Sequence, residues 1–119
     1  MQFAAIPGYA PVKERLVHLA KAQQIPHAQL FAGPEGSAAL PLALAFATYV
    51  HCKDKQPTDA CGLCSACTKM QKWVHPDVQF IFPTSPTQQV KGKDVMSNSF
   101  LKPWRTFLRE QPYGTASNW

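Results

Sequence analysis

The sequence has no long apolar run and no secretory leader, which argues against two classes of protein. Its longest apolar stretch, Ala38–Val50, is 13 residues long and contains Pro41, so it is too short to cross a bilayer. Met1–Lys13 has neither the basic start nor the apolar centre of a secretory segment. Internal repeats and low-complexity tracts are absent as well. We therefore expect a single cytoplasmic domain, or part of one, with no membrane partner.

Cysteine is absent from most of the chain, because all four cysteines lie in one stretch. They are separated by eight, two and two residues, and they are Cys52, Cys61, Cys64 and Cys67. Thiolates two residues apart can bind one ion, and a fourth sulfur from a preceding loop completes a tetrahedron. The spacing therefore predicts a closed, structural metal site, with zinc as the expected ion.

Two other interpretations of the cysteines stay open. Cys61–Cys67 has the spacing that begins a bacterial ferredoxin motif, although no later cysteine followed by proline completes an iron–sulfur site. An even number of cysteines also suits disulfides, but the absence of a secretory segment favours reduced thiols. His51 and His75 are close in sequence, yet four sulfurs already fill a zinc shell, so we predict surface or packing roles for both histidines.

Acidic residues are scarce relative to basic ones. Seven Asp and Glu face twelve Lys and Arg, for a formal net charge of +5. Four thiolates with one Zn²⁺ would lower this charge to about +3. Such a balance is compatible with nucleic acid nearby but does not indicate binding. The basic residues are scattered along the sequence, which predicts an ordinary solvated surface.

Around the cysteines, the apolar pattern predicts an α/β fold. Ala28–Ala32 predicts a short buried strand, Gly33–Gly36 a tight turn, and Ser37–His51 a helix that is apolar nearly all round. Val78–Phe82 predicts a second strand, which would return to the same parallel sheet. We therefore expect an incomplete parallel-sheet domain like that of P-loop NTPases, interrupted by a zinc-binding insertion at about residues 52–74.

Three further helices and a loop complete the expected organisation. Gly8–Gln24 predicts a turn followed by an amphipathic helix, and Thr68–Val74 a short helix. Thr84–Asp94 is polar and predicts a surface loop. A last helix is indicated by apolar residues at helical spacing, namely Phe100, Leu101, Trp104, Phe107 and Leu108.

The glycine turn stands where a phosphate-binding loop would stand, but its chemistry differs. A P-loop ends in glycine, lysine and a hydroxyl residue. Aligned on Gly33, with Gly36 inside the turn, the corresponding residues are Ala38, Ala39 and Leu40. The lysine normally contacts the β- and γ-phosphates and the hydroxyl holds Mg²⁺, so their loss predicts a structural turn that neither binds nor hydrolyses ATP.

These residues together resemble a known family. The segment 25–31 (Ile-Pro-His-Ala-Gln-Leu-Phe), the turn 33–36 (Gly-Pro-Glu-Gly), the four cysteines and the segment 75–77 (His-Pro-Asp) are similar to bacterial clamp-loader subunits. Those subunits are AAA+ proteins of the DNA polymerase III holoenzyme. The resemblance extends from about Ile6 to Pro83. It implies that the chain is the N-terminal portion of an AAA+-like domain, whose C-terminal remainder is absent.

The resemblance also implies a function. Gamma and tau subunits keep the P-loop lysine and threonine, whereas Ala39 and Leu40 make this chain similar to the delta-prime branch. Such a member does not hydrolyse ATP and is not an enzyme by itself. It works with gamma/tau and delta to place the sliding clamp on primed DNA. The arginine finger and the collar domain of that branch would lie beyond Trp119.

Two alternatives belong to other functional classes. A zinc-ribbon nucleic-acid-binding protein would carry basic residues around the metal, and this stretch has Lys53, Lys55, Lys69 and Lys72 with two acidic residues among them. An active clamp-loader ATPase subunit would need the missing lysine and hydroxyl residues.

Overall fold

The structure is a computed structural model that describes residues 1–87 and 92–119, and the described residues form a helical fold. The α-helices are α1 (Ala10–Lys21), α2 (Ala39–His51), α3 (Ser65–Gln71) and α4 (Leu101–Glu110). Short 3-10 helices occur at Phe3–Ala5, Gly92–Asp94 and Ser97–Phe100. None of the helices in the described part of the chain has the length and apolar character needed to cross a bilayer.

The helix α2 is enclosed because it lies between two apolar clusters. The first core consists mainly of Phe3, Ile6, Leu16, Val17, Leu42, Phe46, Tyr49, Cys52 and Cys67. The second core consists of Leu44, Met70, Trp73, Phe82, Trp104, Phe107 and Leu108. Burying one large apolar side chain contributes about 1.5–3 kcal/mol to the free energy of unfolding. Because α2 contributes side chains to both cores, it connects the two halves of the fold. This confirms the enclosed helix predicted within Ser37–His51, with Pro41 in its first turn.

The helices α1 and α4 each present one apolar face, as predicted. In α1 the spacing predicted a face of Val12, Leu16, Leu19 and Ala20. Leu16 is buried together with Val17, and Leu19 and Ala20 are half-buried, but Val12 is 42% exposed and its prediction is wrong. Trp104, Phe107 and Leu108 are the buried residues of α4, which confirms the apolar stripe inferred from their spacing. The short helix predicted at Thr68–Val74 begins three residues earlier, at Ser65, inside the cysteine stretch.

The α/β prediction is wrong. Neither Ala28–Ala32 nor Val78–Phe82 forms a strand, and residues 1–87 and 92–119 contain no β-sheet. The expected incomplete parallel-sheet domain of the P-loop NTPase type is therefore not what the chain forms. A strand requires a neighbouring backbone to take its hydrogen bonds, and two short apolar segments that do not pair stay irregular. Their apolar residues Leu30 and Ile81 are 91% and 94% exposed.

The segment before the polar loop is nevertheless held against the helices. Val78 and Phe80 are half-buried and Phe82 is buried, while the intervening Gln79 and Ile81 are exposed. The ring of Phe82 stacks on Trp104 at 4.3 Å. The alternation is typical of a strand, and one face packs on α4, but no backbone segment within residues 1–87 and 92–119 pairs with it. Of the predicted Thr84–Asp94 loop, residues 88–91 lie outside the described part of the chain.

Candidate metal centre

The end of α2 and the start of α3 position the four cysteines. Cys52 follows the last residue of α2, and its amide donates to the Thr48 and Tyr49 carbonyls. Cys64 is the N-cap residue of α3, and Cys67 lies in the first turn of that helix. Two helix ends therefore fix three of the sulfurs, and the loop residue Cys61 supplies the fourth.

Gly62 allows the loop to turn tightly between Cys61 and Cys64. Its φ is +76°, in the left-handed region that favours glycine. A Cβ atom at this position would lie 2.9 Å from the side-chain nitrogen of Gln2. A larger residue here would therefore strain the turn and push away the N-terminal segment.

The sulfur atoms have the spacing of a tetrahedral ligand set. All four Sγ atoms lie within 4.8 Å of one another. The Cys52–Cys61 and Cys61–Cys67 pairs of Sγ atoms are separated by 3.6 and 3.9 Å. Zinc–sulfur bonds of about 2.3 Å require sulfur–sulfur edges of about 3.8 Å, so the donor set fits a zinc ion with little movement.

Backbone amides point at the sulfurs and favour their thiolate form. The amides of Leu63 and Cys64 donate to the Cys61 Sγ atom at 3.4 and 3.3 Å. The Cys64 Sγ atom accepts from the amides of Lys53 and Cys67, which lower the pKa of this thiol to about 6. Burial has the opposite effect on Cys67 and raises its pKa to about 12. Without a cation, the enclosed site disfavours a full set of four thiolates.

Two of the four cysteines are buried, and Cys61 and Cys64 are half-buried. Cys52 and Cys67 are 2% and 1% exposed, and both belong to the first core with Phe3 and Tyr49. Four protein sulfurs leave no open position for water or substrate. A metal ion held by the four sulfurs would stabilise the fold.

The N-terminal segment is attached to the cysteine stretch by Asp59. Its carboxylate accepts hydrogen bonds from the amides of Phe3 and Ala4 at 2.9 Å each, and from its neighbour Ala60 at 2.8 Å. Gln2 adds a bond from its side-chain amide to the Ala60 carbonyl at 2.7 Å. Sequence reasoning missed the role of Asp59 because Phe3 and Ala4 are more than 50 residues away and no local motif marks such a contact.

The two nearby histidines engage each other and the backbone. The rings of His51 and His75 lie 4.7 Å apart. His51 Nδ1 contacts the Ala47 carbonyl at 2.8 Å, and His75 Nδ1 accepts from the Asp77 amide at 3.1 Å. Among the described residues, the cluster able to hold a metal ion contains the four cysteines and neither histidine.

The glycine turn precedes α2 as expected, but no strand leads into it. Gly36 has a φ of +79°, and the Ser37 amide donates to the Pro34 carbonyl at 3.1 Å. The Ala38 amide, at the start of α2, donates to the Tyr9 hydroxyl at 3.4 Å. This bond joins the start of α2 to the residue that precedes α1.

Two residues at the start of α2, Ala39 and Leu40, are partly covered by the rest of the chain. Ala39 is half-buried, and Leu40 is half-buried against the second core. Gly33 approaches Ser37 so closely that a Cβ atom would lie 2.4 Å from the Ser37 hydroxyl oxygen. Neither residue 39 nor residue 40 carries a cation or a Mg²⁺ ligand.

The sequence was also compared with known proteins. The sequence model of a family described as DNA polymerase III, delta subunit, matches residues 9–108. This match begins just before α1 and ends within α4, so it includes the glycine turn and the entire cysteine stretch. No curated protein and no solved structure gave a match.

Proposed function

The chain belongs to the DNA polymerase III, delta subunit family, and on that premise we propose that it is a non-hydrolysing, delta-prime-like subunit of the clamp loader. The family points to an accessory, clamp-loader-type subunit in DNA replication. The proposed partners are the gamma/tau and delta subunits, with the sliding clamp and primed DNA contacted through the assembly. The proposed place of action is the cytoplasm.

The proposal that the chain does not hydrolyse ATP rests on the side chains at the start of α2. A hydrolysing subunit needs a lysine against the phosphates and a hydroxyl on Mg²⁺. Ala39 and Leu40 offer only hydrocarbon at the corresponding positions, and Leu40 contributes to the second core. The contact of the Tyr9 hydroxyl with the Ala38 amide supports the same assignment. We infer that ATP is neither a cofactor nor a substrate of this chain.

The proposed cofactor is one structural zinc ion held by four thiolates. The ligands would be Cys52, Cys61, Cys64 and Cys67. Zinc would join the end of α2 to the start of α3, because Cys52 follows one helix and Cys67 lies in the other. Since the binding free energy of a structural metal adds to folding free energy, the role we assign to the ion is stabilisation of the fold.

The extent of the family match favours a clamp-loader subunit over a free-standing zinc-ribbon protein. The matched residues 9–108 extend well beyond the stretch 52–74 at both ends. An isolated metal module would not account for the two helical cores that surround it.

Reconstitution tests this function. The chain is mixed with purified gamma/tau and delta subunits, and co-elution is measured together with ATP hydrolysis by the chain alone. We expect stable association and no hydrolysis above buffer. A chain that hydrolyses ATP alone would contradict the non-hydrolysing assignment, and failure to associate with any loader subunit would contradict the clamp-loader role.

The double variant Ala39→Lys/Leu40→Thr is the matched control for the nucleotide assay. It restores the two side-chain types that a P-loop uses while leaving the cysteines unchanged. Because no strand leads into the turn and Ala38 still stands where a P-loop has its second glycine, we expect nucleotide binding by neither chain, and binding by the variant alone would show that residues 39 and 40 prevent it in the natural chain. Equal nucleotide binding by both chains would show that residues 39 and 40 do not determine whether the chain binds nucleotide.

A further inference from the structure

The fold gathers basic residues that are scattered in the sequence. Lys69 on α3 and Lys72, which follows the last residue of α3, are exposed, whereas Ala66, Cys67 and Met70 of the same helix are buried. On α4 the intervals of three and four residues place three basic side chains along one face, opposite Trp104 and its buried neighbours. These three are Lys102, Arg105 and Arg109.

A hydrogen bond joins the two basic faces. The Arg105 Nε atom donates to the Trp73 carbonyl at 2.9 Å. Trp73 lies immediately after Lys72, and its φ of +57° turns the chain at the end of α3. This single contact places the basic face of α4 beside the C-terminal end of α3. We call the five residues Lys69, Lys72, Lys102, Arg105 and Arg109 the basic surface.

The basic surface has no ion-pair partner among the side chains that the structure describes, since no carboxylate there pairs with any of the five residues. Asp77 follows the Trp73 turn and Glu110 ends α4, so two acidic residues lie near the basic surface in sequence. Asp59 instead binds backbone amides of the N-terminal segment. The Nε bond uses one of the five N–H donors of Arg105.

We propose that the basic surface binds the phosphate backbone of DNA directly. This inference rests on the proposed clamp-loader role, which brings the chain close to primed DNA. Lys102 and Arg109 are seven residues apart, which corresponds to about 10 Å along a helix. Duplex DNA carries one charge per about 1.7 Å of its axis, so several phosphates lie within this length.

The composition of the surface favours DNA over an acidic protein. Protein interfaces are depleted in lysine and depend on buried aromatic or apolar anchors. Three of the five residues here are lysines, and the half-buried residue next to Arg105 on α4, Thr106, is polar as well. Protein–DNA interfaces are polar and strongly positive, as this surface is. Because the contacts are to phosphate, binding is expected to be independent of base sequence.

The test measures binding of the full chain to a labelled primed duplex by fluorescence anisotropy over a range of salt concentrations. The variant Lys72→Gln/Arg109→Gln removes two exposed charges from the basic surface. If both contact phosphates, the slope of log K against log salt becomes shallower by about 1.8. Affinity at low salt should fall at least tenfold, with no dependence on base sequence.

The matched control is Arg15→Gln/Lys53→Gln, which removes the same charge from exposed positions on α1 and in the cysteine stretch. This control should keep the natural slope. Equal losses in the two variants would show an effect of net charge alone and would overturn the proposal. So would undetectable binding by the natural chain, or polyglutamate binding as tight as DNA binding.

The loader-assembly assay separates this proposal from the proposed function. The variant Lys72→Gln/Arg109→Gln should still associate with the gamma/tau and delta subunits. Normal assembly with an unchanged salt slope overturns the DNA-contact proposal alone. Failure of the natural chain to assemble overturns the clamp-loader role. The DNA-binding measurement uses the chain alone, so it still tests whether the basic surface contacts DNA.

Discussion

Replacing Asp59 tests how the N-terminal segment is held to the cysteine stretch. The carboxylate accepts three amide hydrogen bonds, from Phe3, Ala4 and Ala60. Asp59→Ala removes all three. Asp59→Asn keeps one oxygen in place and turns an amino group towards the Ala4 amide, so it loses mainly that bond. At about 1 kcal/mol for each partly exposed bond, the expected losses are roughly 3 kcal/mol for alanine and roughly 1 kcal/mol for asparagine.

The assay is urea unfolding of the metal-loaded chain followed by circular dichroism, with limited proteolysis of residues 1–9 as a local readout. Both variants should expose this segment to protease, alanine more than asparagine. Asp54→Ala is the control, since Asp54 is an exposed acid in the same stretch, and its change should stay within about 0.5 kcal/mol. Equal effects of Asp59→Ala and Asp54→Ala would refute the reasoning.

Three further predictions concern the two cores. Cys64→Ser should weaken metal binding and raise hydrogen exchange in the first core more than in α4, because the sulfurs belong to that core; mass spectrometry measures this, and uniform exchange would contradict it. Burial, followed by the charge of Cys52, raises the pKa of Tyr49 above its ordinary 10.0. The folded state therefore favours the neutral phenol of Tyr49, and this contribution to the free energy of unfolding is complete below pH 10 and is lost as the pH rises through the folded-state pKa. In alkali, the free energy of unfolding of the natural chain should fall relative to that of Tyr49→Phe. Trp104 has a buried Nε1 with no partner among the described residues, so Trp104→Phe should cost about 1 kcal/mol and Trp104→Ala about 3–5 kcal/mol in urea unfolding; equal costs would contradict this packing.

Helices whose apolar pattern is local could be predicted from the sequence. The enclosed α2 was evident because a helix without a polar face must be covered on all sides, and two cores do cover it. The stripe through Trp104 and Phe107 predicted α4 for a similar reason. The clustering of the cysteines also followed from local spacing, since three of them lie within seven residues.

Features that depend on distant partners could not be predicted. Ala28–Ala32 and Val78–Phe82 have the composition of strands, but a strand exists only where another backbone pairs with it. The contact between Asp59 and the N-terminal amides crosses more than 50 residues, and the basic surface joins α3 to α4 across about 30. In both cases the residue types were visible in the sequence, whereas their proximity was not.

Zinc K-edge X-ray absorption on the purified, metal-loaded chain tests the central claim most directly. The claim is that one zinc ion is held by the four cysteine sulfurs and stabilises the helical cores around it. The account predicts a shell of four sulfur atoms at about 2.3 Å, with no nitrogen from His51 or His75. A shell containing nitrogen or oxygen, or a preparation that binds no zinc, would contradict it.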